Sequence, residues 1–171
     1  ISLTHPVGDK KTTDEEDDSL ELQGPEATRL RGVAARANYL GADRPDIQYS
    51  VRELCRRMAK PKQGDWNKLQ RVARYLKGVP RCVLTYPWQE PCMAPVGYSD
   101  SDWAGCHSTG KSTTGGIVML GKHLIKSWSR TQDSVTLSLS ETELVALAEL
   151  AAEVLGMRSM TGRWRITDPP A

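Results

Sequence analysis

Phenylalanine is absent from this 171-residue chain, and its aromatic side chains are five tryptophans and five tyrosines. With 39% hydrophobic residues, that permits a core but not a generous one: one ordinary domain, or a small domain plus an extension. Cysteine is sparse. Cys55, Cys82, Cys92 and Cys106 form no C-x-x-C pair and no secretory signal is visible before them, so a disulfide framework is not expected. Reduced thiols in an intracellular protein, cytoplasmic or nuclear, are expected. Cys106 and His107 assemble with Cys82 and Cys92 into a zinc set only on paper, because the spacing matches no common zinc pattern. No apolar run reaches the length of a membrane span, so no membrane partner is expected. The chain opens at Ile1 rather than Met, which suggests a piece of something longer.

Net charge is only +2, but it is unevenly spread. Acids crowd residues 9–21, where Asp14, Glu15, Glu16, Asp17 and Asp18 are consecutive, and residues 1–25 read as a flexible acidic lead-in closed by Gly24-Pro25. Over residues 44–81 the sign reverses. Arg52, Arg56, Lys60, Lys68, Arg71, Arg74 and Lys77, with Arg44, Arg57, Lys62 and Arg81, stand against Asp46, Glu53 and Asp65. A block this basic suits a polyanion such as nucleic acid, and an ordinary solvated helix surface weighs equally on pattern alone.

Apolar spacing predicts three helices over residues 26–80. Leu30, Val33, Ala34, Ala37 and Leu40 line the first, with Gly41 ending it as a C′ glycine. Asp43 is the expected cap of the second, with Pro45 in its first turn and Pro61 as its stop. Asp65 is the expected N-cap of the third, which Gly78 and Pro80 end. Beyond Pro80 the period becomes two. Residues 82–86, 96–100, 116–120 and 123–129 read as strands, Gly121-Lys122 as a hairpin turn, and residues 135–137 as an extended continuation. Ser140-Glu141-Thr142-Glu143 fits a capping box opening a long helix, with Leu144, Leu147, Ala148, Ala151 and Leu155 as its apolar stripe. The order predicts an α/β (α+β) protein. A basic helical segment over 26–80 precedes, over 81–162, a three-stranded antiparallel meander with a long helix packed on it; residues 163–171 form a tail.

Residues 95–116 carry two competing chemistries. Residues 105–112 satisfy G-x-x-x-x-G-K-[ST] letter for letter. A working phosphate loop needs a helix starting at Lys111-Ser112. The continuation, Thr113-Thr114-Gly115-Gly116-Ile117, favours a strand, so the match reads as accidental. The second chemistry is carboxylate. Asp100 ends a strand with Tyr98 on its face, Asp102 follows, and Glu143 lies in the first turn of the long helix. A helix packed across the sheet would bring Glu143 near Asp100, as in two-metal nucleases. On spacing alone the plainer reading is preferred: Glu143 as a cap residue, Asp100 and Asp102 as turn residues.

Four stretches carry a resemblance: NYLGADRPDIQYSV (38–51), WNKLQRVARYLKGV (66–79), GYSDSDWAGCHSTGKSTTGGIVMLG (97–121) and IKSWSRTQDSVTLSLSETELVALAE (125–149). Together they resemble the C-terminal part of the Pol polyprotein of copia-type retrotransposons, over roughly residues 27–160. The first two are similar to the end of the reverse transcriptase region and its connection, the last two to the ribonuclease H domain. The resemblance implies a ribonuclease H-like fold cutting the RNA strand of RNA–DNA hybrids with Mg²⁺ held by acidic residues. It implies Asp100, in Tyr-Ser-Asp, and Glu143, in Glu-Thr-Glu-Leu, as catalytic and metal-binding residues; Asp102, Glu141, Lys111 and Ser112 match motif positions without a catalytic role. The family continues with a strand ending in Asp-Asn and a further acid; residues 161–171 do not resemble it. The expectation is therefore a truncated ribonuclease H-like domain, inactive, with weak or absent Mg²⁺ binding. Its partners would be nucleic acid and the rest of the polyprotein. The alternative is a non-catalytic nucleic-acid-binding module using the basic helices.

Overall fold

The computed structural model describes residues 20–90, 94–106 and 109–163. Most of the expected acidic lead-in and the tail, with Cys92 and His107, lie outside the described residues. The chain divides into two compact units, Ile1–Val83 and Leu84–Ala171. Among the described residues, no helix is long and apolar enough to cross a membrane.

The first unit is helical: α1 (Gly24–Gly41), a 3₁₀ turn (Pro45–Ile47), α2 (Gln48–Arg56) and α3 (Gln63–Gly78). Pro25 and Pro45 sit in first turns, where a missing N–H costs nothing. Leu30 and Ala34 of α1, Leu54 of α2, and Leu69 and Val72 of α3 close one buried cluster; Ala37, Ile47 and Val51 close a second. The terminal residues differ from expectation. Gly41 is the buried last residue of α1, and Ala42 follows it in right-handed helical geometry. Arg44, not Asp43, precedes the 3₁₀ turn. Asp65 lies two residues inside α3, where its carboxylate accepts the Lys62 N–H at 2.9 Å as the N3 half of a capping box. Residues 20–25 also do not behave as lead-in. Leu22 is buried in the first cluster, and its N–H donates to the Pro61 carbonyl at 2.8 Å.

The second unit is a sheet ordered β1-β2-β3, with β1 (Pro95–Cys106), β2 (Lys111–Leu120) and β3 (His123–Thr131), all antiparallel. Helix α4 (Leu139–Arg163) packs on it. The meander and its helix stand as expected, with longer strands. Gly121 takes a φ of +59° in the β2–β3 turn, a conformation that favours glycine. Residues 82–86 form no strand. That segment is held by side chains instead: Tyr86 donates its hydroxyl to the Leu124 carbonyl at 3.0 Å, and Gln89 brackets the turn by bonding Leu120 and Lys122. Residues 135–137 form no strand.

Side chains alternate across a sheet, so one contact fixes the faces. A Cβ at Gly97 would fall 2.6 Å from Leu150, so Gly97 faces α4. Its cross-strand partner Val118 is buried with Trp128 and Leu150, and a Cβ at Gly116 would overlap the Trp128 ring. Val96, Tyr98 and Ile117 lie on the opposite, exposed face. The stripe of α4 that meets the sheet is Thr142, Ala146, Leu150, Val154 and Met157. The expected stripe is therefore corrected. Leu144, Leu147 and Leu155 point away and are 65%, 56% and 61% exposed. A helix apolar on both sides has no single face for periodicity to identify. Polar contacts join the apolar stripe on the face that meets the sheet. Lys126 and Arg130 of β3 donate to Glu153 at 2.6 and 3.2 Å, and Thr142 enters a buried hydroxyl cluster.

Candidate functional site

Asp100 does not end its strand, because β1 runs on to Cys106. Asp100, in β1, pairs with Gly115 and is exposed. Three residues from Gly97, it falls on the face opposite α4. Glu143 is half-buried in the second turn of α4, because that helix starts at Leu139 and not at Ser140-Glu141. It precedes Val154 by about three helical turns, which places it on the flank of α4 nearest β1. The N-terminus of α4 lies over the end of the sheet where β1 closes and β2 opens, because Thr142 approaches Ser112 at the start of β2. The two carboxylates thus do not share a face of the sheet. Among the described residues, no three or more His, Cys, Asp or Glu side chains group to hold a metal ion. A two-metal centre needs its carboxylates converging on one point, and this donor set, as placed, does not fit one.

The capping role expected for Glu143 belongs to its neighbour. Ser138 Oγ accepts the Glu141 N–H at 3.2 Å, and Glu141 Oε2 accepts the Leu137 N–H at 2.7 Å. The cap is built on Ser138 and Glu141, two residues earlier than expected, which leaves Glu143 without a capping duty. Asp102 has a structural one. Its carboxylate accepts the Thr113 N–H and lies against Gly105, where any Cβ would overlap it. It steadies the bulge between Asp102 and Cys106, in which Ala104 has a φ of +51°.

The phosphate-loop match falls across two strand ends. Gly105 and Cys106 close β1, Lys111 and Ser112 open β2, and no helix follows. Ser112 is fully buried. Its hydroxyl accepts the Ala104 N–H at 3.0 Å and lies 3.3 and 3.4 Å from those of Thr136 and Thr142. Gln132 completes the cluster, donating to Thr114 Oγ1 and the Thr142 carbonyl, each at 3.0 Å. Sequence reasoning missed this cluster, because isolated Ser, Thr and Gln residues carry no periodic signal.

The basic residues divide. Lys60, Arg74 and Lys77 are exposed, while Arg52, Lys68 and Arg71 are half-buried. Arg56 is paired with Glu53 at 2.9 Å, its side chain only 13% exposed, so it is largely withdrawn from an outer face. Arg44 is a structural cation. It is buried, forks onto Asp46 at 2.9 and 2.7 Å, and donates to the Val79 and Pro80 carbonyls. On α3 the single acid, Asp65, is buried in the cap. Lys68, Arg71, Arg74 and Lys77 therefore step along that helix at intervals of three with no acid of α3 exposed among them.

No family model matches the chain, and no solved structure matches it. Curated relatives do. An uncharacterized mitochondrial protein of Arabidopsis thaliana is 42% identical over 131 residues, covering 76% of this chain and 54% of that protein. Two retrovirus-related Pol polyproteins of Arabidopsis thaliana, from transposons RE2 and RE1, are 37% and 34% identical over 130 and 145 residues. Those alignments cover 76% and 84% of this chain. The chain spans about half the length of the mitochondrial relative, but only 9% and 10% of the polyproteins. With these relatives along most of its described length, the chain belongs to the copia-type, retrovirus-related Pol polyproteins of transposons and corresponds to one part of them.

Proposed function

We propose that the chain is a ribonuclease H-like part of a transposon Pol polyprotein that contacts nucleic acid through its first unit and does not cleave it. The observation that carries this reading is the cationic ridge of α3. Lys68, Arg71, Arg74 and Lys77 follow one another along the helix while its acid is buried. Such a ridge offers charge to successive phosphates of an RNA–DNA hybrid or another polynucleotide. Arg52 and Lys60 extend the basic surface, and Arg56, tied to Glu53, adds less. The ribonuclease H character of the second unit rests on its motifs, with Asp100 and Glu143 as the matched carboxylates and Mg²⁺ as the family's cofactor. Non-cleavage is supported by the opposite faces on which those carboxylates lie. A lone exposed carboxylate holds Mg²⁺ weakly, because that ion keeps most of its water unless several oxygens replace it.

Fluorescence anisotropy with a labelled RNA–DNA hybrid, read across a salt series, tests the binding. Affinity should fall steeply with salt. The Arg71→Ala/Arg74→Ala variant should bind about tenfold more weakly and lower the log–log salt slope by about two. Binding indifferent to salt and to those substitutions would remove the reading. Incubating the same hybrid with Mg²⁺ and either the native chain or Asp100→Asn should leave the RNA strand intact in both. Cleavage that Asp100→Asn abolishes would overturn the claim of non-cleavage.

A further inference from the structure

Helix α4 carries an uncovered seam. Glu141, Leu144, Ala148, Ala151, Leu155 and Arg158 recur at alternating intervals of three and four, the spacing by which one helix meets another along a seam. All six are exposed, and Leu147 widens the apolar band beside them. Read from either end, the seam runs charge, leucine, alanine, alanine, leucine, charge. The two terminal charges are opposite in sign.

We propose that this seam pairs antiparallel with the same seam of a second copy of the chain, about a two-fold axis between Ala148 and Ala151. In that register Leu144 of one copy meets Leu155 of the other, Ala148 meets Ala151, and Glu141 meets Arg158. Each contact is made twice, as a two-fold interface requires. The central alanines let the backbones approach, and the leucines fill the space on either side. The charges select the direction. A parallel pair would set Glu141 against Glu141 and Arg158 against Arg158, whereas the antiparallel pair opposes unlike charges at both ends and aligns the helix dipoles favourably. The self-complementarity of size and charge points to a second copy rather than an unrelated helix. A single helix pair is a small interface, so a dissociation constant of about 1–100 μM is expected.

Sedimentation equilibrium of the full chain, from low to high micromolar concentration, tests this. The native chain should show a reversible monomer–dimer equilibrium. Arg158→Glu should weaken it by about tenfold, because both end contacts turn from attraction to repulsion. Leu144→Asp should abolish it. Glu141→Arg combined with Arg158→Glu should restore the dimer to within about threefold of the native value, since the exchanged charges again meet their opposites. Glu141 also caps α4, so circular dichroism should accompany each variant; Arg158→Glu and Leu144→Asp leave that cap intact and carry the test if the double variant loses helix. A native chain monomeric throughout would overturn the proposal. So would a dimer indifferent to Arg158→Glu, or a folded double variant as weak as Arg158→Glu, results that would instead fit parallel pairing or a seam meant for another segment of the polyprotein.

Discussion

Arg44 and Asp46 lie two residues apart in sequence, yet they tie the turn before α2 to the end of α3. The guanidinium grips the Asp46 carboxylate and the Val79 and Pro80 carbonyls, and Tyr75 donates its hydroxyl to Asp46 at 2.9 Å. The hydrogen-bonded Arg44 holds the Asp46 carboxyl below the usual range. Burial, aided by the bond to Asp46, pushes the Tyr75 phenol up. The two shifts act at opposite ends of the pH scale. The depressed Asp46 contributes stability that is present above about pH 4 and lost as pH falls through its folded value. The raised Tyr75 contributes stability that is present below about pH 10 and lost as pH rises through its folded value. Asp46→Asn should cost about 3 kcal/mol at neutral pH, because it leaves a buried guanidinium without its counter-charge. It should also flatten the acid limb, so that urea unfolding curves of native and variant chains converge below about pH 4. Parallel curves at every pH would remove Asp46 from this role.

At the scale of the element, α4 is located by hydroxyls and ions as well as by the apolar stripe around Leu150. Thr142 shares its hydroxyl with Thr136 and Ser112 and donates it to the Ser138 carbonyl at 3.1 Å. Thr142→Val keeps the shape and removes those bonds, leaving buried partners unsatisfied. It should destabilise the chain by about 1–3 kcal/mol in chemical denaturation. Leu144→Ala, an apolar deletion on the exposed side, should cost under about 0.5 kcal/mol in the monomer. A larger loss from Leu144→Ala than from Thr142→Val would mean that α4 is turned the other way.

For the whole molecule, carboxylates on opposite faces predict indifference to divalent metal. Millimolar Mg²⁺ should move the unfolding midpoint by less than about 1 °C, since only a ligand held by the folded state stabilises it. A clear rise, lost in Asp100→Asn, would show the carboxylates converging. By itself the sequence determined the kinds and order of most elements: the three helices, the meander with its Gly121 turn, the long last helix, and the strand where a phosphate loop would need a helix, but not the absence of a strand over residues 82–86. It determined the family as well, since the motif stretches survive as linear text. Those signals are local; periodicity, turn glycines and first-turn prolines act within a few residues of themselves. Helix ends were less legible, because Asp65 and Glu141 cap from inside the first turn and only the bonds they make reveal it. The tertiary structure alone decided which face of α4 meets the sheet and on which side of β1 Asp100 stands. A helix with two apolar faces can be turned either way, and a strand can present either face to a helix. Contacts between residues distant in sequence, from Ser112 to Thr142 and from Lys126 to Glu153, make those choices.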